Sequence, residues 1–252
     1  MYIFRTEKHV NPRFKEHDLL CDRLVEICHD WEKELDHYIS KTENLFGRPE
    51  LPWQMNERVI VSSLVSSIAK NNNECILAEE LPITKSTKSD LGRCDLWAHI
   101  PFEDDHPFNF YLEAKKFIKE KRPNDLRKIL LEPRGIHRMF HDYVKSIGKL
   151  SQISTQQEGR KHQHYVIGMI CIPICGRPPK KDIQDCLDDV FTKRITLKNI
   201  EDDKTFPQKR LMARFPTVGF YYEPTMHEQQ SSMLVTFTVL GSSRSRSNVL
   251  SD

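Results

Sequence analysis

The sequence predicts an α/β fold in which a mixed central sheet is flanked by helices, with a helical extension at the N-terminus. Three observations predict it. Apolar residues recur at helical spacing through the first part of the chain, short strand-like runs separated by polar loops follow, and helical and strand patterns then interleave. A sheet buries both faces most readily under helices, so this order of elements favours mixed strands between helical layers.

Residues 14–40 carry Leu20, Leu24, Ile27, Trp31, Leu35 and Tyr38 at spacings of three and four, one apolar stripe of an amphipathic helix. The stretch Gly47-Arg48-Pro49-Glu50-Leu51-Pro52 breaks that pattern, and a second helix is expected over 54–70, ending in the turn-prone Asn71-Asn72-Asn73. Residues 1–50 thus read as the helical extension and 51–240 as the main domain. Three strands are expected next, over 75–82, 92–100 and 109–117. A helix over 136–152 repeats Phe140, Tyr143, Val144, Ile147 and Leu150 on one face, and the strongly apolar run 164–174 reads as a strand. A helix over 181–195 and strands over 217–222 and 233–240 complete the domain. The Ser/Arg-rich tail 241–252 is expected to be disordered.

Composition narrows the class. Of 252 residues, 38% are hydrophobic and 29% charged, ordinary for a globular protein, and no run approaches the roughly 18 apolar residues of a membrane helix. No membrane partner is expected. The first residues lack the apolar core and cleavage site of a secretory signal, so the expected location is cytoplasmic. Seven scattered cysteines argue against a disulfide framework, and Cys171 and Cys175, with no second ligand pair nearby, read as strand cysteines rather than a zinc site.

The net charge of +2 conceals an uneven distribution. Residues 1–57 hold 8 Lys/Arg against 12 Asp/Glu, whereas 115–149 hold 11 against 4. Such a basic block attracts a phosphate backbone, although a solvated helix face is the commoner fate of charge runs.

The chemistry-bearing residues lie just before that block. Alternation along the third strand puts Phe110, Leu112 and Ala114 on one face and Glu113 with Lys115 on the other. An acid and a base two residues apart arise often by chance, and Asp202-Asp203-Lys204, in a polar stretch with no strand around it, has the same spelling without the setting. Asp95 raises the specificity. It stands in the otherwise apolar Cys94-Asp95-Leu96-Trp97-Ala98, where a carboxylate needs a metal, a cation or hydrogen bonds to compensate it. Carboxylates on two neighbouring strands suit Mg²⁺, which keeps several waters and takes few protein ligands. Glu57 precedes Val61, Leu64 and Ile68 by four, seven and eleven residues, at the end of the core-facing stripe of its helix. It can interact with the helix dipole there or join a metal site. Trp97 could stack on a base, but beside the strand that carries Glu113 and Lys115 it reads as core.

The succession Glu57, then Gly92-Arg93-Cys94-Asp95-Leu96, then an apolar strand ending Glu113-Ala114-Lys115, resembles the PD-(D/E)XK nuclease superfamily, which includes type II restriction enzymes and Holliday-junction resolvases. The likeness covers roughly residues 54–175, and it departs from the name-giving motif in having no proline before Asp95. It implies a restriction-endonuclease-like αβββαβ core and a metal-dependent nuclease. Asp95, Glu113, the Ala114 carbonyl and Glu57 would then hold Mg²⁺ or Mn²⁺, and Lys115 would act on the attacking water.

For the nucleic acid, Arg93, Lys116 and Lys119 flank the motif, and the following helix carries Lys145, Lys149 and Gln152 on one polar face. These residues suit phosphate contacts without base readout, with DNA favoured over RNA as partner. Cutting both strands of a duplex with one site per chain implies a homodimer. A stand-alone nuclease of this kind fits phage defence, restriction or DNA repair. The competing readings are a nuclease-like module that only binds nucleic acid, and an α/β protein-interaction domain in which Asp95 and Glu113 are ordinary ion-pair residues.

Overall fold

The computed structural model describes residues 2–5, 17–84, 91–102, 107–116, 164–176, 181–183, 185, 217–224 and 231–242. In chain order the elements are β1 (Tyr2–Arg5), α1 (His17–Phe46), a 3-10 turn (Pro52–Gln54), α2 (Glu57–Asn71), β2 (Ile76–Thr84), β3 (Leu91–Ile100), β4 (Phe108–Lys116), β5 (His164–Cys175), β6 (Thr217–Tyr222) and β7 (Ser231–Ser242). The strands form one seven-stranded sheet in the order β1-β6-β7-β5-β4-β3-β2. It is mixed: β4 and β5 are parallel, and every other neighbouring pair is antiparallel. The protein is therefore α/β, as its sequence predicts.

Helices α1 and α2 cover one face. Leu20, Leu24, Ile27, Trp31 and Leu35 of α1 and Ile60, Val61, Leu64 and Ile68 of α2 share a core with Leu96, Ala98, Phe110, Leu112 and Ala114 of β3 and β4, and with Phe220, Val235 and Phe237 farther across. The alternation expected along β4 is thus realised, with Phe110, Leu112 and Ala114 facing the helices. Tyr111, Ile170, Ile172, Ile174, Tyr221 and Leu234 are also buried but lie outside that cluster, on the opposite face of the sheet. Burial on both faces explains why β5 reads as a continuous apolar run rather than an alternating one.

Two expectations about the N-terminal segment are corrected. Tyr2–Arg5, placed in a helical extension, instead forms the edge strand β1, paired antiparallel with β6. Four residues are too few for alternation to declare a strand, and only β6 supplies the hydrogen-bonding partner. Helix α1 runs past residue 40 to Phe46, and Gly47 ends it with φ of +68° while its N–H donates to the Glu43 carbonyl at 2.8 Å. The segment also shares the core of the sheet. The Trp31 ring stacks on Phe220 at 5.5 Å, and its Nε1 donates to Ser63 Oγ of α2 at 2.9 Å.

Helix α2 begins at Glu57 rather than 54, because Pro52–Gln54 forms the 3-10 turn and Asn56 caps the helix, its side chain accepting from the Val59 N–H at 3.0 Å. Such a cap contributes about 1 kcal/mol, and it makes Glu57 the first helical residue. At the other end of the chain β7 includes Gly241 and Ser242, the first two residues of the expected tail, since their pairing with β5 extends the ladder. The helix expected over 136–152, most of that over 181–195, and residues 243–252 lie outside the described residues. Among the described residues, no helix is long and apolar enough to cross a membrane.

Candidate active site

The site is built where the ladder between β3 and β4 stops. Between β3 and β4 the last registered pair is Leu96 with Leu112, so Asp95 and Glu113 stand next to each other just beyond it. Side chains replace the backbone ladder there. The Ala114 N–H donates to Asp95 Oδ2 at 2.6 Å, and the Cys94 thiol lies 3.0 Å from the Leu96 carbonyl and 3.1 Å from that of Leu112. Burial pushes the Cys94 thiol up to about 12, so it stays protonated and can donate.

The start of α2 closes the arrangement from the helical side. Glu57 Oε2 accepts the Lys116 N–H at 2.8 Å, and the Lys116 ammonium donates to the Met55 carbonyl. Lys115 Nζ donates to Glu113 Oε1 at 2.9 Å and to the Ala114 carbonyl at 2.6 Å, and lies 3.6 Å from Glu57 Oε1. Two distant parts of the chain, Glu57 and 113–115, therefore meet around one ammonium group, and Asp95 joins them through the Ala114 N–H. The cluster is partly open to solvent, with side-chain exposures of 11% for Glu113, 31% for Lys115 and 35% for Glu57.

Electrostatics follow from this crowding. Burial raises the Asp95 carboxyl above the usual carboxylate range, and Glu57 and Glu80 add to the rise, against the Ala114 N–H and Lys115, which lower it. Glu113 is raised by burial and then by Asp95, against the pull of Lys115. For Lys115, burial lowers the ammonium, but its hydrogen bond to Glu113 and the charges of Glu113, Glu57 and Asp95 outweigh it and hold the group above its ordinary value. Negative charge is in surplus here.

Glu57, Asp95, Glu113, Ala114 and Lys115 come together. Lys116, expected to meet phosphates, has its ammonium turned to Met55, so it ties β4 to the segment that leads into α2. Arg93 takes its place on β3 opposite Pro82. Lys119, Lys145, Lys149 and Gln152 lie outside the described residues, as does most of the basic block. Two residues, Glu80 and its partner Arg58, escaped the sequence reading. Glu80 stands opposite Asp95 on β2, between the registered pairs Glu79 with Leu96 and Leu81 with Cys94, and its Oε1 is 3.1 Å from Arg58 Nε. The signal was present in the paired acids of Ala78-Glu79-Glu80-Leu81, unusual within a strand beside an apolar one.

Among the described residues, no three His, Cys, Asp or Glu side chains are arranged to hold a metal ion. The Lys115 ammonium lies between the carboxylates instead. It also supplies a test of whether a divalent cation suits the site, because its surroundings are all oxygen: one carboxylate and one carbonyl within 3 Å and a second carboxylate at 3.6 Å. Oxygen donors in a pocket of surplus negative charge are what Mg²⁺ and Mn²⁺ bind. The donor set fits.

Comparison of the chain with family models, with curated proteins and with solved structures yields no match.

The raised Asp95 gives a prediction about stability. Because folding raises this pKa, the folded chain holds more protons than the unfolded one between about pH 4 and the raised value, so stability falls as pH rises through that window. Above it the ionised group is a net cost. Asp95→Asn keeps an acceptor for the Ala114 N–H, so in EDTA the variant should melt higher than the parent at neutral pH. The difference should shrink as pH falls towards about 4. Thermal melts across that range check it, and a variant that melts lower at neutral pH would contradict the account.

Proposed function

We propose that the protein is a metal-dependent nuclease of the PD-(D/E)XK type with a restriction-endonuclease-like core, hydrolysing phosphodiester bonds in DNA. One observation carries the reading: Lys115 is gathered with Glu113, the Ala114 carbonyl and Glu57, while Asp95 on the next strand binds the Ala114 N–H. A protein-interaction domain has no need to bury like charges side by side, an arrangement that destabilises a sheet. A hydrolytic centre does need it.

Asp95, Glu113 and the Ala114 carbonyl would hold the divalent cation, with Glu57 beside it; when bound, it supplies polarisation of the phosphodiester and a lowered pKa for a coordinated water. Glu57 additionally fixes the end of β4 through the Lys116 N–H, which sets the position of Lys115 one residue before. Lys115 is protonated at neutral pH, because its pKa is raised. Its ammonium orients the attacking water and offsets the charge that develops on the phosphoryl oxygens. It would leave the Ala114 carbonyl to do so, since that oxygen belongs to the cation's donor set.

The test is cleavage of single-stranded, duplex and branched DNA, and of RNA, in Mg²⁺ or Mn²⁺ against EDTA. Cleavage that requires the divalent ion supports the proposal. Cleavage that persists in EDTA overturns it, and binding of nucleic acid without cleavage under any of these conditions assigns the protein to non-catalytic binding.

A further inference from the structure

Glu80 has a backbone that its place in a strand does not explain. Its φ is +53°, the left-handed region, in the middle of β2. Among non-glycine residues that region is rarely populated and is concentrated at functional sites. The consequence is visible in its neighbours. Successive strand residues normally point to opposite faces, yet Glu79 and Glu80 both reach α2, Glu79 Oε2 accepting from Ser62 Oγ at 2.8 Å and Glu80 Oε1 lying 3.1 Å from Arg58 Nε. The twist in the backbone thus brings Glu80 to Arg58, directly beside Asp95.

A structural tie does not account for this. The Arg58 side chain is 77% exposed, and an ion pair at that exposure contributes less than left-handed backbone costs. A guanidinium carries five N–H donors and suits phosphate oxygens in a two-point contact. Arg58 is also the residue after Glu57, whose carboxylate is 3.6 Å from Lys115 Nζ. The two lysines there are committed, Lys115 to Glu113 and Ala114 and Lys116 to Met55. An acidic cluster repels a phosphate backbone, so an outward-facing cation at its rim has a clear use.

We propose that Arg58 is a phosphate-contacting residue for the nucleic-acid substrate, held at the rim of the acidic cluster by Glu80 and released from that carboxylate when a backbone phosphate replaces it. The inference rests on the nuclease reading for its substrate class. It makes Arg58 and Glu80 opposite in effect: Arg58 attracts the backbone, and Glu80 competes with it.

The experiment is fluorescence anisotropy with labelled single-stranded and duplex DNA in EDTA, over a range of salt, using the full chain and the variants Arg58→Ala, Arg58→Lys and Glu80→Gln. Arg58→Ala should bind about tenfold more weakly, with the slope of log affinity against log salt smaller by about one. Arg58→Lys should recover the slope, and Glu80→Gln should bind more tightly than the parent. Parental affinity and slope in Arg58→Ala would overturn the inference while Mg²⁺-dependent cleavage by the same protein left the nuclease reading standing. Weaker binding in both Arg58→Ala and Glu80→Gln, with lowered melting temperatures, would make the pair a structural tie and also overturn it, as would a parent that binds no DNA. Binding that follows the expected pattern in a protein that never cleaves would uphold the Arg58 contact and remove the nuclease reading.

Discussion

Lys115→Ala is expected to lower Mg²⁺-dependent DNA cleavage by roughly a hundred- to a thousandfold, the loss typical when one preorganised charge-stabilising donor is removed from an active site. In the metal-free protein the ammonium is held by Glu113 Oε1 at 2.9 Å and the Ala114 carbonyl at 2.6 Å, and Glu113 keeps it beside the site when the cation takes the carbonyl. Mg²⁺ binding should survive, because the carboxylates and carbonyl remain and a competing cation has gone. Calorimetric titration with Mg²⁺ beside the cleavage rate separates these roles: retained binding with lost cleavage assigns Lys115 to the reaction, whereas a variant that cleaves like its parent would remove it. Lys115→Arg keeps the charge with a different shape and should recover only part of the rate. It also guards against misreading a folding defect, since leaving Glu113 and Glu57 without their cation is itself destabilising.

Trp31→Ala carries the largest expected effect on stability, a loss of about 3–5 kcal/mol. The side chain is fully buried, stacked on Phe220 at 5.5 Å, edge-on to Phe237 at 6.2 Å and hydrogen-bonded to Ser63 Oγ at 2.9 Å. It therefore joins α1 to α2 and to strands β6 and β7 at once. A domain of this kind is stable by about 5–15 kcal/mol in all, so the variant should unfold at a much lower urea concentration. Trp31→Phe keeps the stacking and loses the hydrogen bond, a smaller cost of about 1 kcal/mol. An alanine variant that loses less than about 1 kcal/mol would show that α1 lies on the fold as an appendage rather than as part of its core.

The two variants probe different depths of the same architecture. Trp31 lies in the layer that α1 and α2 form over the sheet, and Lys115 lies where the start of α2 meets the end of β4. Glu57 connects them: the turn at Pro52–Gln54 and the Asn56 cap fix the first residue of α2, and Glu57 then reaches the Lys116 N–H at 2.8 Å. The site's geometry depends on how the helix docks.

Much of this was legible in the chain itself. Apolar spacing of three and four marked α1 and α2, alternation put Glu113 and Lys115 on one face of β4, and an acid within Cys94-Asp95-Leu96 marked the neighbouring strand. These signals are local, carried by residues a few positions apart, and local periodicity survives in a one-dimensional reading. The edge strand Tyr2–Arg5 was not legible, because its only justification is β6, more than two hundred residues later. Nor was the inward turn of Lys116, decided by the Met55 carbonyl, or the part played by Glu80, decided by a left-handed backbone opposite Asp95 and a guanidinium on α2. Hydrogen-bond partners and charge neighbours distant in sequence exist only once the chain is packed, so composition and spacing can nominate a carboxylate or an amine, but tertiary contact decides what each one faces.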